Sequence, residues 1–206
     1  MTGPAHRSAR LPPALALLAL VVLIGLAKPG GLLQPLDRAA MSAVGHLRAL
    51  PGADWITSAS LLLARLGEGG GRVYIALVIG LFLAHAGRPR AMLWLLGTVA
   101  AMVPLNGLMK LAFLAPRPDL LAHLATVTSS SYPSGHAAGA MTLWGAVALL
   151  CRQPPIRLLC LAMILATGFS RVWLGVHWPS DVIGGWIEGM AWLLAMSLLL
   201  PARVRA

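Results

Sequence analysis

Residues 132–151 read YPSGHAAGAMTLWGAVALLC. Five polar or turn-forming residues are followed by a run without a charged side chain. Proline near the first helical position is a helix start signal. A helix N-terminus carries unpaired N–H groups that attract anions. Gly135 lets an anion come close to the backbone, Ser134 adds a hydroxyl donor, and His136 handles protons near neutral pH. A polar cluster at the mouth of an apolar helix is thus the unit to look for elsewhere in the chain.

Outward from this stretch, apolar runs recur at 11–27, 72–86, 91–114, 156–169 and 182–200. A hydrocarbon core takes ~20 helical residues, so the polar ends of the shorter runs must take part in the crossing. In lipid the backbone satisfies itself only in helices or closed barrels. The expectation is an all-α, polytopic membrane helical bundle of about six spans. Residues 28–71 are mixed. Met41, Val44, Leu47 and Leu50 recur at helical spacing between Arg38 and Arg48, which predicts an amphipathic interfacial segment before the second span. Leu61 to Leu66 is apolar but short, and Gly67-Glu68-Gly69-Gly70-Gly71 predicts a break.

Composition agrees. The 206 residues are 58% hydrophobic and 11% charged, with mean hydropathy +0.80. Soluble domains carry roughly 25% charged residues. Formal net charge is +10, yet the arginines stand singly between apolar runs and form no basic stripe with interleaved aromatics, which sets nucleic-acid binding aside. They sort by topology instead. With a cytoplasmic N-terminus, Arg7, Arg10, Arg88, Arg90, Arg152, Arg157, Arg203 and Arg205 all fall on the cytoplasmic side, as the positive-inside rule requires. The C-terminus is then cytoplasmic too. Segments 28–71, 115–135 and 170–181 fall on the opposite face. Cys151 and Cys160 lack metal-ligand spacing and read as small hydrophobes.

Two further polar clusters lie on that opposite face. Lys110 and Arg117-Pro118 flank the end of the 91–114 run, with Pro116 and Pro118 placing Arg117 past the helix. Ser170-Arg171, His177 and Asp181 flank the last connection. A carboxylate accepting from one imidazole nitrogen fixes the tautomer and leaves the other nitrogen as a nucleophile. Arg171 offers a planar fork for phosphate oxygens. Ionisable groups at membrane boundaries are costly without a task.

Taken in order, Lys-x6-Arg-Pro, Pro-Ser-Gly-His and Ser-Arg-x5-His-x3-Asp resemble the three motifs of the type 2 phosphatidic acid phosphatase family. Every motif position is matched across residues 110–181, and residues 1–71 carry no family motif. The resemblance implies a single integral membrane phosphatase domain over 1–206, acting on a lipid phosphate or diphosphate. By the same resemblance His177 attacks phosphorus and forms a phosphohistidine. Asp181 supports His177, and His136 protonates the leaving oxygen and then activates water. Lys110, Arg117, Ser134, Gly135 and Arg171 hold the phosphoryl oxygens. No cofactor and no metal are implied. The residues agree, because phosphoryl transfer needs positioning and charge stabilisation, and the 6 acidic residues form no carboxylate cluster for a hard cation.

Motifs at span ends favour a phosphate held at headgroup level: phosphatidic acid, phosphatidylglycerophosphate, a polyprenyl diphosphate or a lipid A phosphate. A lipid phosphotransferase would use the same residues. A non-catalytic lipid-binding or transport protein would not need His177, His136 and Asp181 together. Relatives that bind vanadate and oxidise halides resemble soluble proteins instead. The short loops and the Ala, Leu, Arg and Gly richness point to a bacterial inner membrane. Glu188, inside the last apolar run, has no motif partner and reads as structural or protonated. Asp119 and His123 read as loop polarity, and His6, His46 and His85 have no companions. Trp55, Trp173 and Trp178 read as an interfacial belt.

Overall fold

The computed structural model describes residues 11–200. The terminal arginines Arg7, Arg10, Arg203 and Arg205, and with them both termini, lie outside the described residues. Those residues form eight helices and no strand: α1 (Leu11–Ala27), α2 (Gln34–Arg48), α3 (Asp54–Gly67), α4 (Gly69–His85), α5 (Pro89–Phe113), α6 (Gly135–Leu150), α7 (Pro154–Trp173) and α8 (Pro179–Met196). Proline in the first turn starts α2, α5, α7 and α8; its fixed φ suits helix entry and its missing N–H would have had no partner there.

Helices α6 and α8 pack at the centre, with α1 against α8, α7 and α5 against α6, α4 against α5, and α3 against α7. Close approach of α6 and α8 depends on small residues. A Cβ at Gly189 would stand 2.5 Å from the Ala138 carbonyl oxygen, and one at Gly185 would run into the Ser134 carbonyl oxygen and the Ala137 methyl. The outer surface is apolar: Leu23, Leu26, Phe82, Leu93, Leu108, Leu111 and Leu158 are all exposed, a surface that a bilayer covers.

On length and composition two helices can cross a membrane, α5 with 25 residues and α7 with 20; a third counts if α3 and α4 form one span bent by 74°. Helices α1 and α6 are apolar but shorter, with 17 and 16 residues. The expected break at Gly67–Gly71 is the pivot of the bend: Glu68 is extended (φ −64°, ψ 159°) between the two helices. In α2 the buried stripe is Asp37, Met41 and Val44, whereas Leu47 and Leu50 face outward. The amphipathic face therefore includes a carboxylate. The tryptophan belt needs correction in part. Trp55 is exposed, but Trp173 is fully buried and its Nε1 donates to Thr57 Oγ1 at 3.0 Å. Trp178 is buried and donates to the Pro116 carbonyl at 3.3 Å.

The two ends of the bundle differ. At one end Arg88, in the α4–α5 turn, reaches the Leu150 carbonyl at the end of α6 (3.3 and 3.4 Å). At the other end the 114–134 loop, the 174–178 turn and the end of α1 meet.

Candidate active site

All three polar clusters converge at that second end. Helix α5 stops at Leu114, whose left-handed backbone (φ 45°) turns the chain into Pro116 and Arg117. Two residues past the end of α7 the chain turns at Gly175 (φ +75°), a conformation that L side chains resist. The Val176 N–H then closes on the Arg171 carbonyl (3.2 Å), and His177 is carried back over the bundle. The loop before α6 is pinned from both sides. Its N–H groups at Ser131 and Ser134 bond the carbonyls of Ala115 (2.9 Å) and Asp181 (3.0 Å). Its carbonyls at Ser130 and Pro133 accept from Lys110 and Asn106, and Arg72 reaches the Gly135 carbonyl just beyond.

His177 is buried and held at both ring nitrogens. Nδ1 lies 3.5 Å from Asp181 Oδ2 and 3.4 Å from Ser131 Oγ; Nε2 lies 3.4 Å from Arg117 Nη1. A guanidinium only donates and a carboxylate only accepts. Nδ1 therefore carries the proton, and the Nε2 lone pair faces the Arg117 side. Burial, followed by the charges of Arg117 and Lys110, outweighs the opposing pull of Asp181 and lowers the His177 pKa to about 4, so the ring is neutral at pH 7. Asp181 Oδ2 also accepts from Ser131 Oγ (2.5 Å) and the Trp178 N–H (2.9 Å). Arg117 is anchored by the Val176 and Ser129 carbonyls (2.5 and 2.9 Å).

His136, in the first turn of α6, places Nε2 3.0 Å from the Ala64 carbonyl. A carbonyl only accepts, so Nε2 is the protonated nitrogen and Nδ1 is left to exchange protons. No side chain caps α6, which leaves the N–H groups of its first turn for an anion. Most telling are buried donors without a protein partner: Arg171 Nε and Nη2, and Ser134 Oγ. Burying such groups unpaired costs on the order of 1–3 kcal/mol each, and an oxyanion has the acceptors that they lack.

Lys110, Arg117, Ser134, Gly135, His136, Arg171, His177 and Asp181 all lie at this end of the bundle, although Lys110 itself is bonded to the Ser130 carbonyl. Sequence reasoning did not single out Ser131, Arg72, Asn106, Lys28 or Asp37. Glu188 stood out only as an ionisable group in a span; its Oε2 accepts from Asn106 Nδ2 at 2.7 Å, so it helps hold the residue that holds Pro133. Asp119 and His123 stay in the loop, where His123 Nε2 donates to the Pro118 carbonyl (2.8 Å). Among the described residues, no group of three or more His, Cys, Asp or Glu is placed to hold a metal.

A family model described as the PAP2 superfamily matches residues 91–205. An undecaprenyl-diphosphatase of Sulfolobus acidocaldarius is 33% identical over 151 residues, covering 72% of this chain and 64% of that protein. Undecaprenyl-diphosphatase BcrC of Bacillus subtilis is 37% identical over 93 residues, 42% of this chain and 45% of that protein. The matches thus span less than two thirds of either relative. Among solved structures, the transmembrane PAP2 type phosphatidylglycerolphosphate phosphatase from Bacillus subtilis superposes with a TM-score of 0.79 over 89% of this chain and 94% of that one, at 23% identity. At that identity the likeness shows a shared fold.

Proposed function

Because this chain belongs to the PAP2 superfamily, we propose that it is an integral membrane phosphatase hydrolysing a lipid-linked phosphate monoester or diphosphate. His177 Nε2 attacks phosphorus, and the bond from phosphorus to the leaving oxygen breaks. His136, protonated at both ring nitrogens once the anionic substrate is bound, gives that oxygen its Nδ1 proton. Water then attacks the phosphohistidine, His136 takes its proton back, and inorganic phosphate leaves. Asp181 holds the Nδ1 proton of His177 throughout and offsets the charge that builds on the ring. Arg117, Arg171, Ser134 and the first turn of α6, with Gly135, bind the phosphoryl oxygens. Lys110 adds a third cation beside them.

The observation that carries this reading is the set of buried, unpartnered donors, Arg171 Nε and Nη2 and Ser134 Oγ. They stand at the same end of the bundle as a neutral imidazole whose lone pair faces Arg117. Fixed donors aimed at developing oxyanion charge are a main resource of a phosphoryl-transfer site, and in this reading Arg117, Arg171 and Lys110 supply the positive charge.

The names of the relatives favour a polyprenyl diphosphate as first substrate to try, with phosphatidylglycerophosphate second. The topology proposed with this reading has about six crossings, the arginine-bearing turns at 88 and 152 in the cytoplasm by the positive-inside rule, and the site on the non-cytoplasmic face of a bacterial inner membrane. Both termini then lie in the cytoplasm. The test is phosphate release by the purified protein in detergent, with EDTA present. The panel is undecaprenyl diphosphate, phosphatidylglycerophosphate and phosphatidic acid, with His177→Ala alongside. Release that survives EDTA and is lost in the variant supports the reading. Release that depends on added metal contradicts it.

A further inference from the structure

Residues outside the three motifs close on the carboxylate of Asp181. Lys28, just past the end of α1, places Nζ 2.6 Å from Asp181 Oδ1 and donates to Ser180 Oγ at 2.7 Å. Asp37, on the buried stripe of α2, accepts from the Ser180 N–H at Oδ1 (2.8 Å) and from Ser180 Oγ at Oδ2 (2.6 Å), and its Oδ2 lies 3.8 Å from Lys28 Nζ. The side chains of Lys28 and Asp37 are 10% and 8% exposed and that of Asp181 is 0%. The pair is therefore shielded from water, and removing one member leaves the other charge uncompensated. Helix α1 is fastened a second time nearby, where the Tyr132 hydroxyl donates to the Val21 carbonyl at 2.6 Å.

The two oxygens of Asp181 divide the work. Oδ2 accepts from Ser131 and the Trp178 N–H and lies beside His177 Nδ1, while Oδ1 is in ion-pair contact with Lys28 Nζ and has no hydrogen bond of regular geometry. A carboxylate so held cannot rotate about its Cβ–Cγ bond without losing a cation on one side and the imidazole on the other. We propose that Lys28 is a positioning residue for the phosphatase site, braced by Asp37 and acting through Asp181 on His177. The segment before α3 thereby becomes part of the catalytic apparatus. The inference rests on the phosphatase reading for its rate effects, and on geometry alone for its effect on the imidazole.

The charged and titratable groups around His177 are Asp181 and Lys28 behind it and Arg117 in front. Lys110 stands on α5, His136 on α6, Arg171 on α7, and Asp37 beyond Lys28. Taking away Lys28 removes a cation behind the carboxylate, which strengthens the hold of Asp181 on an imidazolium. The His177 titration midpoint then moves to higher pH.

The test uses the full chain in detergent as Lys28→Met, Lys28→Arg, Asp181→Asn and Lys28→Met/Asp181→Asn. Expected for Lys28→Met is a kcat lower by up to about 100-fold, the scale of loss for a displaced supporting group, with KM unchanged. Lys28→Arg keeps most of the activity. Adding Lys28→Met to Asp181→Asn costs nothing more, because the two act along one path. In ¹⁵N-histidine NMR the His177 midpoint rises in Lys28→Met and not in Lys28→Arg. Wild-type kcat in Lys28→Met, or a full extra loss in the double variant, overturns the proposal. If the native protein releases no phosphate, the phosphatase reading fails on its own. The NMR midpoint still decides about Lys28, an unshifted value overturning its role. Should Lys28→Met not fold, Lys28→Gln and the Lys28→Arg retention carry the same comparison.

Discussion

Arg117 Nη1 stands 3.4 Å from His177 Nε2, on the opposite side of the ring from Asp181 Oδ2, 3.5 Å from Nδ1. A donor on one side and an acceptor on the other dictate a single tautomer, with the free lone pair on the Arg117 side. Replacing Asp181 by Asn puts an amide where the ring needs an acceptor. The expected loss in kcat is about 10⁴-fold, the size found when a catalytic histidine loses the carboxylate that sets its tautomer. Steady-state kinetics on a variant shown by size exclusion to be folded checks it.

Burial and the neighbouring cations Arg117 and Lys110 bring the His177 pKa to about 4, against about 6.5 for an exposed imidazole. Between those values the unfolded chain binds a proton at this residue and the folded one does not. His177 therefore lowers stability progressively as pH falls from about 6.5 to 4 and has no further effect below. An NMR titration of labelled histidine should show one midpoint near pH 4, assigned to His177 by its disappearance in His177→Gln.

Arg171 is buried with two donors unpaired, so on the proposed reading it serves the ligand at the expense of the fold. Arg171→Met is expected to melt at or above the native temperature. It should also weaken inhibition by orthovanadate, a phosphate analogue, roughly 10- to 100-fold, since hydrogen bonds to charged groups contribute about 1.5–3 kcal/mol. Arg171→Lys keeps the charge and loses the planar fork, so its affinity falls between the two. Thermal melts and inhibition curves on the same preparations read both effects.

Gly185→Ala forces a methyl into the Ser134 carbonyl oxygen and the Ala137 methyl. Overpacking of this kind costs about 1–3 kcal/mol. Because the neighbour that must move is the backbone at the start of α6, activity should fall by more than the melting temperature suggests. Gly107→Ala, where a Cβ meets nothing within 4 Å, is the control and should be neutral or stabilising.

Much of this site was legible in the chain because its signals are local. Proline at the starts of α5, α7 and α8, and Pro133 just before α6, announce helix entries, and each motif sits within a few residues of such an entry or exit. Asp181 and His177 are four residues apart, so their pairing needs no knowledge of the fold. Lys28, Asp37, Arg72 and Asn106 were not legible for the opposite reason. Each one's hydrogen-bond partner lies 27 or more residues away, and a single lysine after an apolar run looks like any snorkelling lysine. The fold brought out the meaning of α2 as well. Its stripe was readable as amphipathic, but only the packing against the start of α8 shows that the carboxylate of Asp37 belongs to the buried side.

The most direct measurement is to trap the covalent intermediate. The native protein in detergent is mixed with undecaprenyl diphosphate carrying ³²P in the terminal phosphate, with EDTA present, and quenched in alkali within milliseconds. The expected result is one labelled, acid-labile and alkali-stable phosphopeptide containing His177, absent from His177→Ala. Label on another residue, or phosphate release with no protein-bound label at any quench time, would contradict the histidine mechanism.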